Sequence, residues 1–164
     1  MSEKVLCETC LCPREYRVEE SKTLSNFRVD GTSVQYQELR AFCLTCNHEV
    51  FVHEVNKENT TRIKKELRKV KNLVPFELVQ ETPIKYHIGK RPLSLLLGWG
   101  ELTYSRFIDG ALPTRCYSDL IDIIYHNPKI YQNILEKNKN LISDVAYRKS
   151  KKAVQELLAH KSNR

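Results

Sequence analysis

The stretch LLLGWGELTYSRFIDGALP, Leu95 to Pro113, decides how the rest of the chain is read. Just before it, Pro92 suits the first turn of a helix, where a missing N–H leaves no bond unmade. Leu93, Leu96 and Leu97 follow at i, i+3, i+4 and give a short helix one apolar stripe. Gly98 and Gly100 bracket Trp99, and a tight turn between helices needs glycine where the chain must visit positive φ. A second helix is expected from about Glu101 to Asp109. Leu102, Ser105, Phe107 and Ile108 would face inward, and Glu101, Thr103, Tyr104 and Arg106 outward. Gly110 is a stop signal, with Pro113 just beyond. An Arg/Thr/Tyr face on the second of two helices joined by a short turn is the pattern of a DNA-reading helix-turn-helix. An ordinary αα-hairpin with solvated charges has the same spacing.

Two pairs of cysteines flank the segment before it. Cys7-x-x-Cys10 opens the chain and Cys43-x-x-Cys46 returns after 32 intervening residues. Each C-x-x-C can form a tight knuckle presenting two thiolates to one ion, and four thiolates close a tetrahedral zinc shell. A closed shell has no position for a substrate water, so one structural zinc per chain is expected and zinc catalysis is not. Cys12 and His48, each two residues past a ligand, blur the assignment. Between the pairs the chain reads as β. Tyr16 and Val18 alternate with charged residues, and so do Phe27 and Val29. Asp30-Gly31 then leads to Val34 and Tyr36. Asp-Gly between alternating runs signals a hairpin, because a type I′ turn needs φ > 0 at both central positions. A further strand is expected from Glu49 to His53. The result is a small antiparallel sheet pinned by zinc over residues 1–55, with a core thin enough that the metal supplies much of its folding energy.

NKENT, residues 56–60, reads as a boundary, with Thr60 or Thr61 capping a linker helix over 56–72. Ile63, Leu67 and Val70 give that helix one stripe, and lysines and arginines fill its other faces. A helix from Pro75 towards Tyr86 should break near Thr82, because Pro83 disfavours αR before it and lacks a donor. Lys90 and Arg91 stand at the start of the first helix of the pair, the end that approaches a DNA backbone. After Pro113, Thr114 or Ser118 caps a helix carrying Leu120, Ile121, Ile123, Ile124 and Tyr125, which Asn127-Pro128 ends. Ile130, Tyr131, Ile134 and Leu135 mark another. Ser143 and Asp144 look like caps of a last helix with Ala146, Ala153, Val154, Leu157 and Leu158 on one side and a basic run, Arg148 to Lys152, within it. The organisation expected is α+β. A zinc-pinned antiparallel β domain precedes an all-α helix-turn-helix domain over 73–140, and 141–164 form a helical extension.

Charge follows this division. Residues 1–55 carry a net −3 and residues 56–164 a net +10, so the second part suits a polyanionic partner. No apolar run approaches the roughly 20 residues of a membrane span, and MSEKVLCETC has no signal-peptide pattern, so a cytoplasmic setting with reduced thiols is the default.

These motifs resemble the MqsA-type antitoxins of bacterial type II toxin–antitoxin systems, which join a YgiT-type zinc finger to an Xre/Cro-like helix-turn-helix. The paired knuckles look like that finger. GWGELTYSRFIDGALPT, residues 98–114, is similar to the family's G-W-G-x-x-T-x-S-R-Y-x-x-G-x-x-P-S segment, with Phe107 in place of the tyrosine. Leu102 stands where some members have a base-reading asparagine. The resemblance covers roughly Cys7 to Asn138. It implies structural zinc on Cys7, Cys10, Cys43 and Cys46, and it puts Arg106 in the place of a base-reading arginine. It further implies a homodimer on a palindromic operator in double-stranded DNA, repression of the chain's own operon and neutralisation of a cognate toxin. Arg106 has the reach for guanine O6 and N7, Thr103 and Tyr104 for a methyl or phosphate, and Glu101 for cytosine N4. A regulator from a phage or other mobile element, without toxin neutralisation, is the alternative. An enzyme is not expected, because no Ser/His/Asp or paired-carboxylate constellation is present.

Overall fold

Asp30 and Gly31 lie at φ +48° and +76°, the pair of left-handed residues a two-residue hairpin demands. They join β3 (Ser25–Val29) to β4 (Thr32–Tyr36) with Val29 opposite Thr32. The computed structural model describes residues 4–162, which fall into two compact units divided between Lys71 and Asn72. No helix among the described residues is long and apolar enough to cross a membrane.

The first unit begins with β1 (Lys4–Cys7) and β2 (Cys12–Glu20), followed by the hairpin and β5 (Leu39–Cys43). β1, β2 and β5 form an antiparallel sheet in that order, and the β3–β4 hairpin is a separate two-stranded sheet. The strand expected at 49–53 is reduced to one bridge, Glu49 opposite Phe42. The chain enters α1 (His53–Val70) instead, so that helix starts earlier than its expected boundary and belongs to the first unit. Thr60 and Thr61 lie inside it rather than capping it, and their hydroxyls donate back to the carbonyls of Asn56 (2.9 Å) and Lys57 (3.0 Å). Buried Asn59 ties the helix to the sheet. Its amide donates to Leu39 O and accepts from Leu39 N–H, both at 2.8 Å, which satisfies an edge residue of β5 on both backbone groups. Leu67 is buried as the stripe requires, whereas Val70 at the helix end is 60% exposed.

The second unit contains α2 (Phe76–Lys85), α3 (Lys90–Leu96), α4 (Thr103–Ile108), α5 (Arg115–His126), α6 (Pro128–Lys137), a 3-10 turn (Lys139–Leu141) and α7 (Asp144–Ser162). The segment expected as a separate extension packs here, with Val154 in the same core as Leu93, Ile121 and Leu135. Tyr131 donates to or accepts from Ser150 at 2.6 Å, which joins α6 to α7 inside that core.

Pro83 does not break its helix. A proline at this position leaves the carbonyl four residues earlier, that of Val79, without its helical N–H donor. Tyr104, fully buried on α4, donates its hydroxyl to Val79 O at 3.0 Å and fills the vacancy. Thr82 adds its own hydroxyl to Leu78 O at 2.6 Å. The helix therefore continues to Lys85 because a side chain from elsewhere completes its ladder.

Three successive helices end in the same way. After α2, α3 and α4, the residues His87, Gly98 and Gly110 take φ of +47°, +74° and +94°. In each case the next N–H reaches back to the carbonyl five residues earlier: Ile88 to Pro83 (3.0 Å), Trp99 to Ser94 (2.9 Å) and Ala111 to Arg106 (2.9 Å). These are Schellman ends, and they reverse the chain within two residues while pairing the last carbonyls. Ser118, one of the two candidate caps of α5, is buried and instead accepts Val74 N–H at 2.7 Å.

Candidate metal centre and helix-turn-helix surface

Both C-x-x-C pairs occupy hairpin ends. The first joins β1 to β2, where Cys7 and Cys12 face each other in register, and Leu11 N–H closes the knuckle on Cys7 O at 2.8 Å. The second follows β5, where Asn47 N–H closes on Cys43 O at 3.0 Å and Cys43 N–H on His48 O at 2.9 Å. The residue after each second cysteine, Leu11 and Asn47, sits in the left-handed region at φ +54° and +60°. Within each knuckle, backbone N–H groups point at the first sulfur: Cys10 N–H lies 3.4 Å from Cys7 Sγ, and the N–H groups of Thr45 and Cys46 donate to Cys43.

The four sulfurs of Cys7, Cys10, Cys43 and Cys46 lie within 4.8 Å of one another, with Cys7 and Cys46 at 3.5 Å. Four thiolates about 2.3 Å from a tetrahedral ion would stand about 3.8 Å apart, so the set has the size of a metal shell. It can hold a metal ion. Cys12 and His48 are outside the set; the ring of His48 is exposed and lies 3.2 Å from Cys46 O. N–H donation from Cys46 and Thr45 lowers the Cys43 thiol to about 6, and the neighbouring Cys46 sulfur drives Cys10 up to about 12. The Arg14 guanidinium, its own proton held more tightly by Cys12 and Cys10, adds a positive charge beside a cluster that becomes anionic on metal binding. Cys7 and Cys43 also belong to a buried apolar cluster of the unit, together with Ala41, Val50 and Val52.

In the second unit, α3 and α4 are locked together by buried Ser94, whose hydroxyl accepts Tyr104 N–H at 2.9 Å. Trp99 packs edge-on against Phe107 and Tyr117 at 6.0 and 4.7 Å, which anchors the turn between the helices to α4 and α5. The second helix starts two residues later than expected, and its inward face is correspondingly different. Tyr104 and Phe107 point into the core, while Leu102 is 62% exposed. Tyr104 is therefore removed from the candidate DNA contacts, since its hydroxyl is committed to Val79 O. The signal that could have placed it was the pair Tyr104 and Phe107 at i, i+3 beneath Trp99.

Arg106 remains exposed on α4 and Thr103 half-buried at its start. Lys90 and Arg91 are exposed at the start of α3. Arg91 and Glu101 are brought together as a salt bridge of 2.8 Å, both side chains largely exposed. Such a pair is worth at most about 1 kcal/mol and opens readily to a phosphate. No protein-family model, no curated protein and no solved structure matches this chain.

Proposed function

We propose that this chain is a non-catalytic, cytoplasmic DNA-binding antitoxin with one structural zinc, a homodimer that represses its own operon. The observation that carries the DNA-binding half is the locked pair α3–α4. Two short helices share a buried Ser94–Tyr104 bond and a Schellman turn, and they leave Lys90, Arg91, Thr103 and Arg106 at the surface. Zinc is the metal favoured by a closed set of four cysteines without a coordinating carboxylate or imidazole. Its role is to clip two hairpin ends together, and no reaction passes through it.

A footprint of the region upstream of the reading frame tests the DNA-binding half. Two half-sites with centres about 10 bp apart are expected. Arg106→Ala should cost about 1–3 kcal/mol and relax preference at a single position. Arg91→Ala should weaken every sequence alike and lower the salt slope by roughly one unit. If Arg106→Ala changes neither affinity nor preference, α4 is not the reading helix.

The antitoxin half rests on the resemblance to MqsA-type chains, and co-expression tests it separately. The expected result is that a neighbouring reading frame arrests growth when expressed alone and that this chain restores it. If no neighbouring product is toxic, or none is rescued, the reading narrows to a transcriptional regulator.

A further inference from the structure

The positive charge of this chain is not on the helices proposed to read DNA. Residues 72–126, which include α2 to α5, carry five Lys/Arg and six Asp/Glu. Of those five, Arg91 is paired with Glu101, Arg115 with Asp119, and Lys85 donates to Tyr125 O. Residues 127–164 carry nine Lys/Arg and three Asp/Glu. Yet affinity for duplex DNA arises chiefly from cations that displace counterions from phosphate, and a module of net charge near zero supplies little of it.

The excess is arranged on one side of α7. Ser150, Ala153 and Val154 face the core, and Arg148, Lys149 and Lys152 are exposed on the arc opposite. At 100° per residue these three span about 100° of the helix circumference. Among the described residues, neither Arg148 nor Lys149 forms an ion pair, and Lys152 has only a 4.0 Å contact with exposed Glu156. Lys151, by contrast, is turned away and bound to Glu136 (2.9 Å) and the Tyr147 hydroxyl (2.9 Å), so it belongs to the packing of α7 on α6. The scaffold that presents the strip is continuous with the helix-turn-helix. Asn138, between α6 and the 3-10 turn, donates to Leu96 O at the end of α3 at 2.7 Å, and Tyr131 on α6 bonds Ser150 at 2.6 Å.

We infer that Arg148, Lys149 and Lys152 form a phosphate-binding strip for duplex DNA, distinct from the base-reading face of α4. The inference rests on the DNA-binding reading above and assigns its electrostatic part to α7. Contacts of this kind position a protein on the duplex and carry no sequence preference.

The test measures binding of the full-length, metal-loaded chain to labelled upstream duplex, and to a scrambled duplex of the same length, between 50 and 200 mM salt. The variants are Arg148→Gln/Lys149→Gln/Lys152→Gln and, as a control of equal charge, Lys57→Gln/Lys64→Gln/Lys65→Gln on α1. Thermal unfolding verifies that both fold. The α7 variant should lower the log–log salt slope by about 2.7 on both duplexes. Across that salt range, wild type should then lose about 40-fold more affinity than the variant. Sequence preference should be unchanged, whereas Arg106→Ala should change preference. An unchanged slope in the α7 variant, with wild type still binding, overturns the strip and leaves the helix-turn-helix reading standing. An equal loss in the α1 control overturns it too, by assigning the effect to overall charge. Absence of binding to any duplex overturns both readings, and tighter binding to single-stranded RNA or to phosphatidylglycerol vesicles than to duplex overturns the choice of DNA.

Discussion

Cys43→Ser is expected to abolish metal binding and unfold residues 4–71 while residues 72–162 keep their helices. The reason lies in how little else holds the first unit. Among the described residues, the buried apolar ones of the unit are Cys7, Ala41, Cys43, Val50 and Val52 in one cluster, with Val34 and Leu67 outside it, so two of seven are candidate ligands. A core of that size yields only a few kcal/mol against the entropy of ordering the chain. A structural zinc bound by four thiolates supplies about 10–16 kcal/mol, which is folding energy because the unfolded chain has no preformed site. Metal analysis should find one zinc per wild-type chain and none in the variant. Amide spectra should show collapsed dispersion for the first unit alone. Wild-type protein that is folded without stoichiometric metal would remove the structural role assigned to the site.

Tyr104→Ala should cost about 3–5 kcal/mol, the range for deleting a fully buried aromatic ring. Tyr104→Phe separates the hydroxyl from the ring. It leaves Val79 O unpaired beside Pro83, and a buried carbonyl without a donor costs about 1–3 kcal/mol. The cause can be isolated by a second substitution. Pro83→Ala restores a backbone N–H to the same carbonyl, so Tyr104→Phe should be far milder in the Pro83→Ala background than in wild type. Denaturant unfolding of the four proteins gives the coupling directly. Equal costs of Tyr104→Phe in both backgrounds would show that the hydroxyl does not complete the helix.

This pair of residues also explains where sequence reasoning stopped. The expected break at Pro83 followed from the proline alone, and the donor that cancels it comes from a helix twenty-one residues later. Local pattern contains no sign of a partner at that distance. The outward placement of Tyr104 had a different cause: it rests on Leu102 as the first inward residue, whereas Leu102 precedes the helix and is exposed, and the inward face is set by Tyr104 with Phe107 and Ile108. By contrast, Asp30-Gly31 and the stops at Gly98 and Gly110 were legible because each rests on backbone conformations that few residues adopt. The four cysteines were legible for a similar reason, since two pairs of thiols each separated by two residues have few uses besides holding a metal ion. The strand anticipated at Glu49–His53 stops at the single bridge of Glu49 to Phe42, because the chain turns into α1 at His53. The basic strip of α7 was visible as composition, but its separation from Lys151 required the packing of α7 on α6.

The hairpin β3–β4 has a consequence for how freely the first unit can change length. Thirty-two residues separate Cys10 from Cys43, but Ser21 N–H bonds Glu38 O at 2.8 Å and closes the base of the hairpin. The segment that must find its way back to the ion is thereby shortened to roughly half, which reduces the closure entropy by about 0.6 kcal/mol. The tip at Asp30-Gly31 lies beyond that closed base, past the last pair of Val29 with Thr32. Residues inserted at the tip would lengthen the arm without altering the spacing of the two knuckles. A change in size or a grafted tag or peptide placed at this tip therefore leaves the ligand geometry insulated from it.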